Sequence, residues 1–160
     1  MVINIRAATK SDLQPMVELT LKAFEPIFES FESILGEEIF PVLFPDWRET
    51  QQKIVVDAFK NEEIALWVAE IDEIVTGLVT LKLDQQQKIG ELHFLAVHPD
   101  YQNRGVGSAL NQFILEKMRK AGMQVAMVST GGDSSHAPAR RTYEKAGYIP
   151  LPIVNYYQKL

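Results

Sequence analysis

The 160-residue chain contains no cysteine. That excludes disulfides, thiolate metal sites and a cysteine nucleophile, and it suits a reducing compartment. No apolar run approaches the ~18 residues of a membrane span, and the first residues, MVINIRAATK, lack the apolar stretch of a signal peptide. A cytoplasmic protein with no membrane partner is expected. Positive charge is also scarce: 16 Lys and Arg stand against 21 Asp and Glu, a formal charge of −5. No basic stripe exists to neutralise a phosphate backbone, so nucleic acid is not expected as a partner. His93 and His98 are five apart with no third ligand at metal spacing, so no metal is expected. Internal repeats, linkers and low-complexity segments are absent too. What remains is ordinary for one globular domain: 46% apolar and 23% charged residues.

The most informative stretch is Leu92 to Ser108, LHFLAVHPDYQNRGVGS. An apolar, strand-like run ends in a turn, Gln102-Asn103-Arg104-Gly105-Val106-Gly107-Ser108, and an amphipathic helix pattern follows. A strand feeding a glycine-containing turn and then a helix presents free backbone N–H groups at the positive end of a helix dipole. Glycines at 105 and 107 let the backbone approach a ligand with no Cβ between. This arrangement suits a diphosphate. Taken alone, a Gly-x-Gly turn is explained as readily by local structure. It is not a dinucleotide turn, because position 110 is Leu, and it has no Gly-Lys-Ser/Thr of a P-loop. Arg104 either adds positive charge there or is a solvated surface arginine.

The rest of the pattern predicts α+β architecture with a mixed sheet. Val2 to Arg6 alternates as a short strand. Thr9 or Asp12 caps a helix with Leu13, Met16, Val17, Thr20, Leu21 and Phe24 inward, and Pro26 ends or bends it. Residues 25–62 are the least legible: Pro41 and Pro45 divide them, and Asp46 caps a helix from Trp47 to about Lys60. Their glutamates (Glu25, Glu29, Glu32, Glu37, Glu38) and aromatics read either as a helical cover or as the wall of a pocket for a cationic amine. Ile64 to Glu70, Ile74 to Leu83 and Ile89 to Val97 form a meander, with Gly77 marking a bulge or a close neighbour. Gly105 to Ala121 is a helix, Val125 to Ser129 a strand parallel to Ile89–Val97, and Pro138 opens a last helix that Gly147 stops. The tail from Tyr148 holds one or two strands interrupted by Pro150 and Pro152.

Two motifs give this pattern a family resemblance. Val97 to Gly107 resembles the acyl-CoA turn of the GNAT superfamily of N-acyltransferases, whose pattern is Arg/Gln-x-x-Gly-x-Gly/Ala. Ala139-Arg140-Arg141-Thr142-Tyr143-Glu144-Lys145-Ala146-Gly147-Tyr148 resembles that family's next motif, Tyr-Glu-Lys-x-Gly-Phe/Tyr. Order and separation agree, and the resemblance covers nearly the whole chain. It implies a mostly antiparallel central sheet with a splayed parallel pair, flanked by about four helices. It also implies an N-acetyltransferase that moves an acetyl group from acetyl-CoA to a primary amine by direct attack in a ternary complex. A catalytically silent acyl-CoA-binding module, for sensing or scaffolding, is the alternative; an unrelated nucleotide-binding fold is a third.

By the same resemblance, the cofactor lies along Leu95-Ala96-Val97, with the N–H of Leu95 or Val97 facing the thioester oxygen. Gln102 to Ser108 hold the diphosphate. His136, Ala139 and Tyr143 share a helix face toward the cofactor, and Tyr143 protonates the departing thiolate. His136 stands where the family often has Asn. Glu91 and His93 share a strand face and are the candidates for removing the amine's proton, directly or through water. The acceptor is a small-molecule or peptide amine, and a homodimer is compatible with the resemblance. Many members close with a two-strand hairpin; here thirteen residues follow Gly147, two of them proline, so that hairpin is short or incomplete.

Overall fold

The computed structural model describes all residues, 1–160. Five strands, β1 (Asn4–Ala7), β2 (Ile64–Ile71), β3 (Ile74–Asp84), β4 (Ile89–Val97) and β5 (Val125–Val128), form one sheet in sequence order. Four helices flank it: α1 (Leu13–Leu43), α2 (Trp47–Lys60), α3 (Val106–Lys120) and α4 (Ala137–Lys145). β1 to β4 pair antiparallel and β4–β5 pair parallel. This is the mixed sheet the sequence predicts.

Two cores lie on opposite faces of the sheet. Val79, Leu81, Leu92 and Val97 pack with Val106, Leu110, Ile114 and Met118 of α3 on one side. Val68, Leu78 and Ala96 pack with Met16, Val17 and Leu19 of α1 and Val55 of α2 on the other. The helical stripes read from the sequence are thus the buried faces. Gly77 meets both expectations. The β2–β3 register shifts beside it, and a Cβ there would stand 3.0 Å from Leu110 Cδ1 and 3.1 Å from Val106 Cγ1.

Three local readings need correction. Pro26 and Pro41 do not end α1, which is interrupted only at Gly36, where the backbone turns to φ 73°. Phe28, Phe31, Phe40, Phe44 and Trp47 pack on each other rather than wall a pocket, whereas Pro26, Ile27, Gln51 and Ile54 of the same helices do line one. Phe28 stacks on Trp47 at 4.4 Å and meets Phe31 and Phe44 edge-on, making these helices a cover. The tail beyond Gly147 contains no strand at all.

A half-buried ion cluster ties β1 to the start of α1. Arg6 donates to both oxygens of Asp12 at 2.7 and 2.8 Å and to Glu70 at 2.5 Å. The Arg6 guanidinium, with hydrogen bonds from Thr9, holds the Asp12 carboxyl well below the usual carboxylate range.

Candidate active site

The site begins with an irregularity in β4. Leu81 faces Leu92 and Thr80 faces Phe94, so His93 is an extra residue, a β-bulge. Leu92 therefore joins the α3 core while Phe94 stacks on Phe24 of α1 at 5.1 Å, although strict alternation would put both on one face. At this point β4 also loses its parallel neighbour, because β4–β5 pairing runs from Ile89↔Val125 to Leu92↔Val128 and stops. From His93 to Val97 the strand has β3 on one side and a gap on the other.

The backbone in that gap is oriented. His98 N–H donates to Thr76 O at 2.9 Å. Alternation then points the N–H of Ala96 at β3 and those of Leu95 and Val97 into the gap. Gln102 Nε2 donates to Val97 O at 3.1 Å, strapping the turn to the strand end.

Below the strand end the chain takes a 3₁₀ turn, Pro99–Tyr101, and reverses through Asn103 (φ 58°) and Gly105 (φ 87°), which caps α3. The first α3 bond is Ala109 N–H to Gly105 O, so the N–H groups of Val106, Gly107 and Ser108 are free. A Cβ on Gly107 would meet only Val97 Cγ2, at 3.7 Å, and one on Gly105 would meet nothing. Space for a ligand against bare backbone exists where the sequence puts its glycines.

A cavity of about 740 Å³ joins these parts. It runs from Gln102, Asn103, Gly105, Gly107 and Ser108, past His93 to Val97 and Val128 to Thr130, to Phe24 and Ile27 of α1 and Gln51 and Ile54 of α2. His136, Ala139, Tyr143, Arg141 and Lys145 close it from the α4 side. Glu91, Arg104 and Val106 stand outside its wall: Glu91 lies behind His93, Arg104 sits over the Tyr101 ring, and Val106 is buried beneath the turn. None of the five glutamates at 25, 29, 32, 37 and 38 reaches it.

Three side chains carry the polar chemistry. Tyr143 is 9% exposed, and burial, reinforced by Tyr148, pushes its phenol up to about 12. Its hydroxyl is a committed proton carrier at neutral pH. His93 Nδ1 lies 3.3 Å from Glu91 Oε1. His136 Nδ1 lies 2.5 Å from Asp133 Oδ1 and its ring stacks on Phe31. Burial would raise the Asp133 carboxyl, but hydrogen bonds from Ser135, Ser30 and His136 outweigh it and hold it well below the usual range. An ionised Asp133 requires the proton on Nδ1 of His136. Arg140 donates to the carbonyls of Gly131 and Asp133, fixing the loop.

Two participants escape the sequence reading. Asp133 had a signal, since Asp-Ser-Ser-His is a capping sequence and Asp133 caps the 3₁₀ turn Ser134–His136. Gln51 is 7% exposed, lines the cavity, and its Oε1 accepts no hydrogen bond. It stands three, four and seven residues before Ile54, Val55 and Ala58, so it is a polar residue on an inward face.

A parallel pair that parts beside the free N–H groups at the start of α3 is the architecture that the sequence resemblance implies. The chain belongs to the acetyltransferase (GNAT) family, whose sequence model matches residues 23–148. It is 28% identical over 149 residues to S-(2-succino)cysteine N-acetyltransferase of Bacillus subtilis, covering 90% of this chain and 82% of that one. The fold matches PaiA N-acetyltransferase from Thermoplasma acidophilum in complex with coenzyme A (TM-score 0.68, 21% identity, 92% and 89% of the two chains). It also matches the ribosomal-protein-S18-alanine N-acetyltransferase of Escherichia coli (TM-score 0.65, 16% identity, 91% and 77%). No helix is long and apolar enough to cross a membrane.

Proposed function

We propose that the protein transfers the acetyl group of acetyl-CoA directly to a primary amine, with no acyl-enzyme. The observation that carries this reading is the coincidence, in one cavity, of the free N–H groups of α3, the unpaired edge of β4 and the buried Tyr143 hydroxyl. The free N–H groups of Val106, Gly107 and Ser108 receive the diphosphate. Arg141 and Lys145 line the same mouth and give it positive charge in an otherwise acidic chain. The N–H of Leu95 or Val97 donates to the thioester oxygen, and more strongly as that oxygen gains charge.

His93 takes the proton of the amine. Glu91 accepts from its Nδ1 and leaves Nε2 as the basic atom. The amine nitrogen forms the new N–C bond as the C–S bond breaks, and Tyr143 donates its proton to the departing sulfur. Holding both reactants beside β4 supplies much of the rate. On the acceptor side the wall is apolar, Phe24, Ile27 and Ile54, and no carboxylate lines the cavity. This suits a small amine with an apolar body rather than a polycation.

Tyr143→Phe tests the scheme. General acid catalysis is worth about 100-fold or more, so kcat should fall by at least that while acetyl-CoA binding, read by calorimetry, stays within about twofold. Unchanged kcat removes Tyr143 from the reaction. Binding of acetyl-CoA with no thiol release over a broad amine panel would favour the silent binding module.

A further inference from the structure

The loop between β5 and α4 carries a second histidine–carboxylate pair, which the transfer scheme leaves unused. Asp133 and His136 are nearly enclosed, their side chains 9% and 14% exposed. The two oxygens of Asp133 have different partners. Oδ2 accepts from Ser30 Oγ of α1 at 2.7 Å, from the Ser135 N–H at 3.1 Å and from the Ser135 hydroxyl. Oδ1 is kept for Nδ1 of His136, at 2.5 Å.

The imidazole is mounted on all sides but one. A Cβ on Gly131 would lie 2.3 Å from Nδ1 and 2.6 Å from Cε1, so only glycine lets the loop run along that edge. Phe31 of α1 stacks on a face of the ring, the centroids 5.8 Å apart. The Cδ2–Nε2 edge is what remains, and His136 lines the cavity. Nε2 therefore looks into it. It does so beside the α1 wall. Phe24, Ile27 and Phe31 follow at i, i+3 and i+7 on one helical face, and the first two line the acceptor end. Ser30 and Phe31 thus tie the pair to the acceptor wall, away from the β4 edge assigned to the thioester.

We propose that Asp133 is a positioning residue that keeps the proton of neutral His136 on Nδ1, and that the bare Nε2 binds a second donor, N–H or O–H, on the body of the acceptor amine. This rests on acetyl transfer in the same cavity and names the class of amine: one with a donor besides the nitrogen that is acetylated. A site that holds an acceptor atom ready discriminates strongly, because an amine without the donor leaves that atom desolvated and unpaired. The same mounting dictates what the isosteric amide does. The Ser135 N–H can only donate, so in Asp133→Asn the amide oxygen takes the Oδ2 place and the NH₂ group faces His136. Nδ1 then becomes the acceptor and the proton moves to Nε2. A donor faces the cavity in place of an acceptor.

The chain has only three histidines, so nitrogen-15 correlation spectra resolve each ring. At about pH 8.5, where imidazole is neutral, wild-type His136 should be the Nδ1–H tautomer and Asp133→Asn should show the Nε2–H tautomer. Steady-state assays then compare amines that differ by one hydroxyl. Wild type should favour the hydroxyl-bearing member by about tenfold or more in kcat/KM, and Asp133→Asn should erase that preference while KM for acetyl-CoA stays within about twofold. If Asp133→Asn does not fold, His136→Asn serves: its amide replaces Nδ1 as donor to Asp133 and removes Nε2, so the preference must vanish there too. An Nε2–H tautomer in wild type overturns the proposal. So does equal use of both members in every pair turned over, a preference that survives the substitutions, or a loss that falls on KM for acetyl-CoA. A chain that turns over no amine at all fails acetyl transfer itself, and this inference with it.

Discussion

Gly107 offers a perturbation in which stability and binding should move in opposite directions. It is the second residue of α3, with helical geometry, and a Cβ built on it meets only Val97 Cγ2 at the ordinary distance of 3.7 Å. The fold therefore has no objection to a side chain there. Glycine in a helix costs up to about 1 kcal/mol relative to alanine, less in the first turn, so Gly107→Ala should gain about 0.5 kcal/mol and raise Tm by roughly 1–2 °C. The open direction is the cavity, where the N–H groups of Val106 to Ser108 face the proposed diphosphate. A single methyl intrudes little, and coenzyme A affinity for the alanine variant should fall no more than about fivefold. Gly107→Leu fills the cradle and displaces a phosphate oxygen. Losing two charge-assisted hydrogen bonds at about 1.5 kcal/mol each weakens binding by roughly 3 kcal/mol, or about 100-fold. Calorimetry with coenzyme A and thermal denaturation of the same samples read both quantities. A leucine variant that stays folded and binds as wild type would show that the ligand does not lie on α3. A Tm loss of several degrees would show that Gly107 is there for packing.

Other positions separate the site from the scaffold in the same way. Gln51→Met removes a buried acceptor with no partner, so stability should hold or rise by about 1 kcal/mol; a clear loss in denaturant titration would refute the reading of Oε1 as unpaired. Asp12→Asn should destabilise by about 2 kcal/mol at neutral pH, because Arg6 and Thr9 both serve the carboxylate. Since folding lowers the Asp12 carboxyl, its contribution is complete above about pH 4 and is lost as pH falls further, so wild type and variant should converge in acid. Glu70, which Arg6 also lowers, leaves some acid sensitivity in both; denaturant titrations that stay parallel down to pH 2 would refute the assignment. Amide hydrogen exchange gives a backbone-level check: coenzyme A should slow Leu95 and Val97 strongly and Ala96 little, because Ala96 already faces β3.

Much of the scaffold was legible because it rests on periodicity and punctuation. The α3 stripe of Val106, Leu110, Ile114 and Met118, the turn at Gly105 and the stop at Gly147 are local signals, and each marks the element observed. The splay of the parallel pair entered through resemblance, and the register of β4 and β5 supplies its physical cause. Two kinds of feature were hidden. One depends on partners distant in sequence: the bulge at His93 exists only against Thr80 and Leu81, and Asp133 is held by Ser30, 103 positions away. The other is a misleading local cue. Pro26 and Pro41 suggest helix breaks, but α1 is held by the aromatic cover and by packing on the sheet, which override the local preference. The tail failed for a related reason. Its apolar, β-branched composition suggests one or two strands, but none forms in the structure.

The bulge also explains why one strand can serve as both framework and reagent. A central strand normally spends its N–H and C=O groups on two neighbours, and an unpaired edge in mid-sheet is costly. Here the extra residue at His93 coincides with the end of β4–β5 pairing, so the half of β4 before it is locked on both sides and the half after it on one. The opened half is kept straight by β3 and by the buried side chains of Ala96 and Val97, packed on opposite helical layers. Gln102 pairs with the Val97 carbonyl. The donors at Leu95 and Val97 remain unpaired, rigidly held before any ligand arrives. Donors whose direction is set by the sheet need no reorganisation when charge develops on an oxygen, and that condition is what makes electrostatic stabilisation effective. Deleting His93 would leave the Leu81–Leu92 and Thr80–Phe94 pairs adjacent and in register, so Phe94 would stay on Phe24 and both amides would still face the gap. Coenzyme A protection of the Leu95 and Val97 amides should therefore survive the deletion while turnover is lost with the imidazole; loss of that protection would refute the assignment.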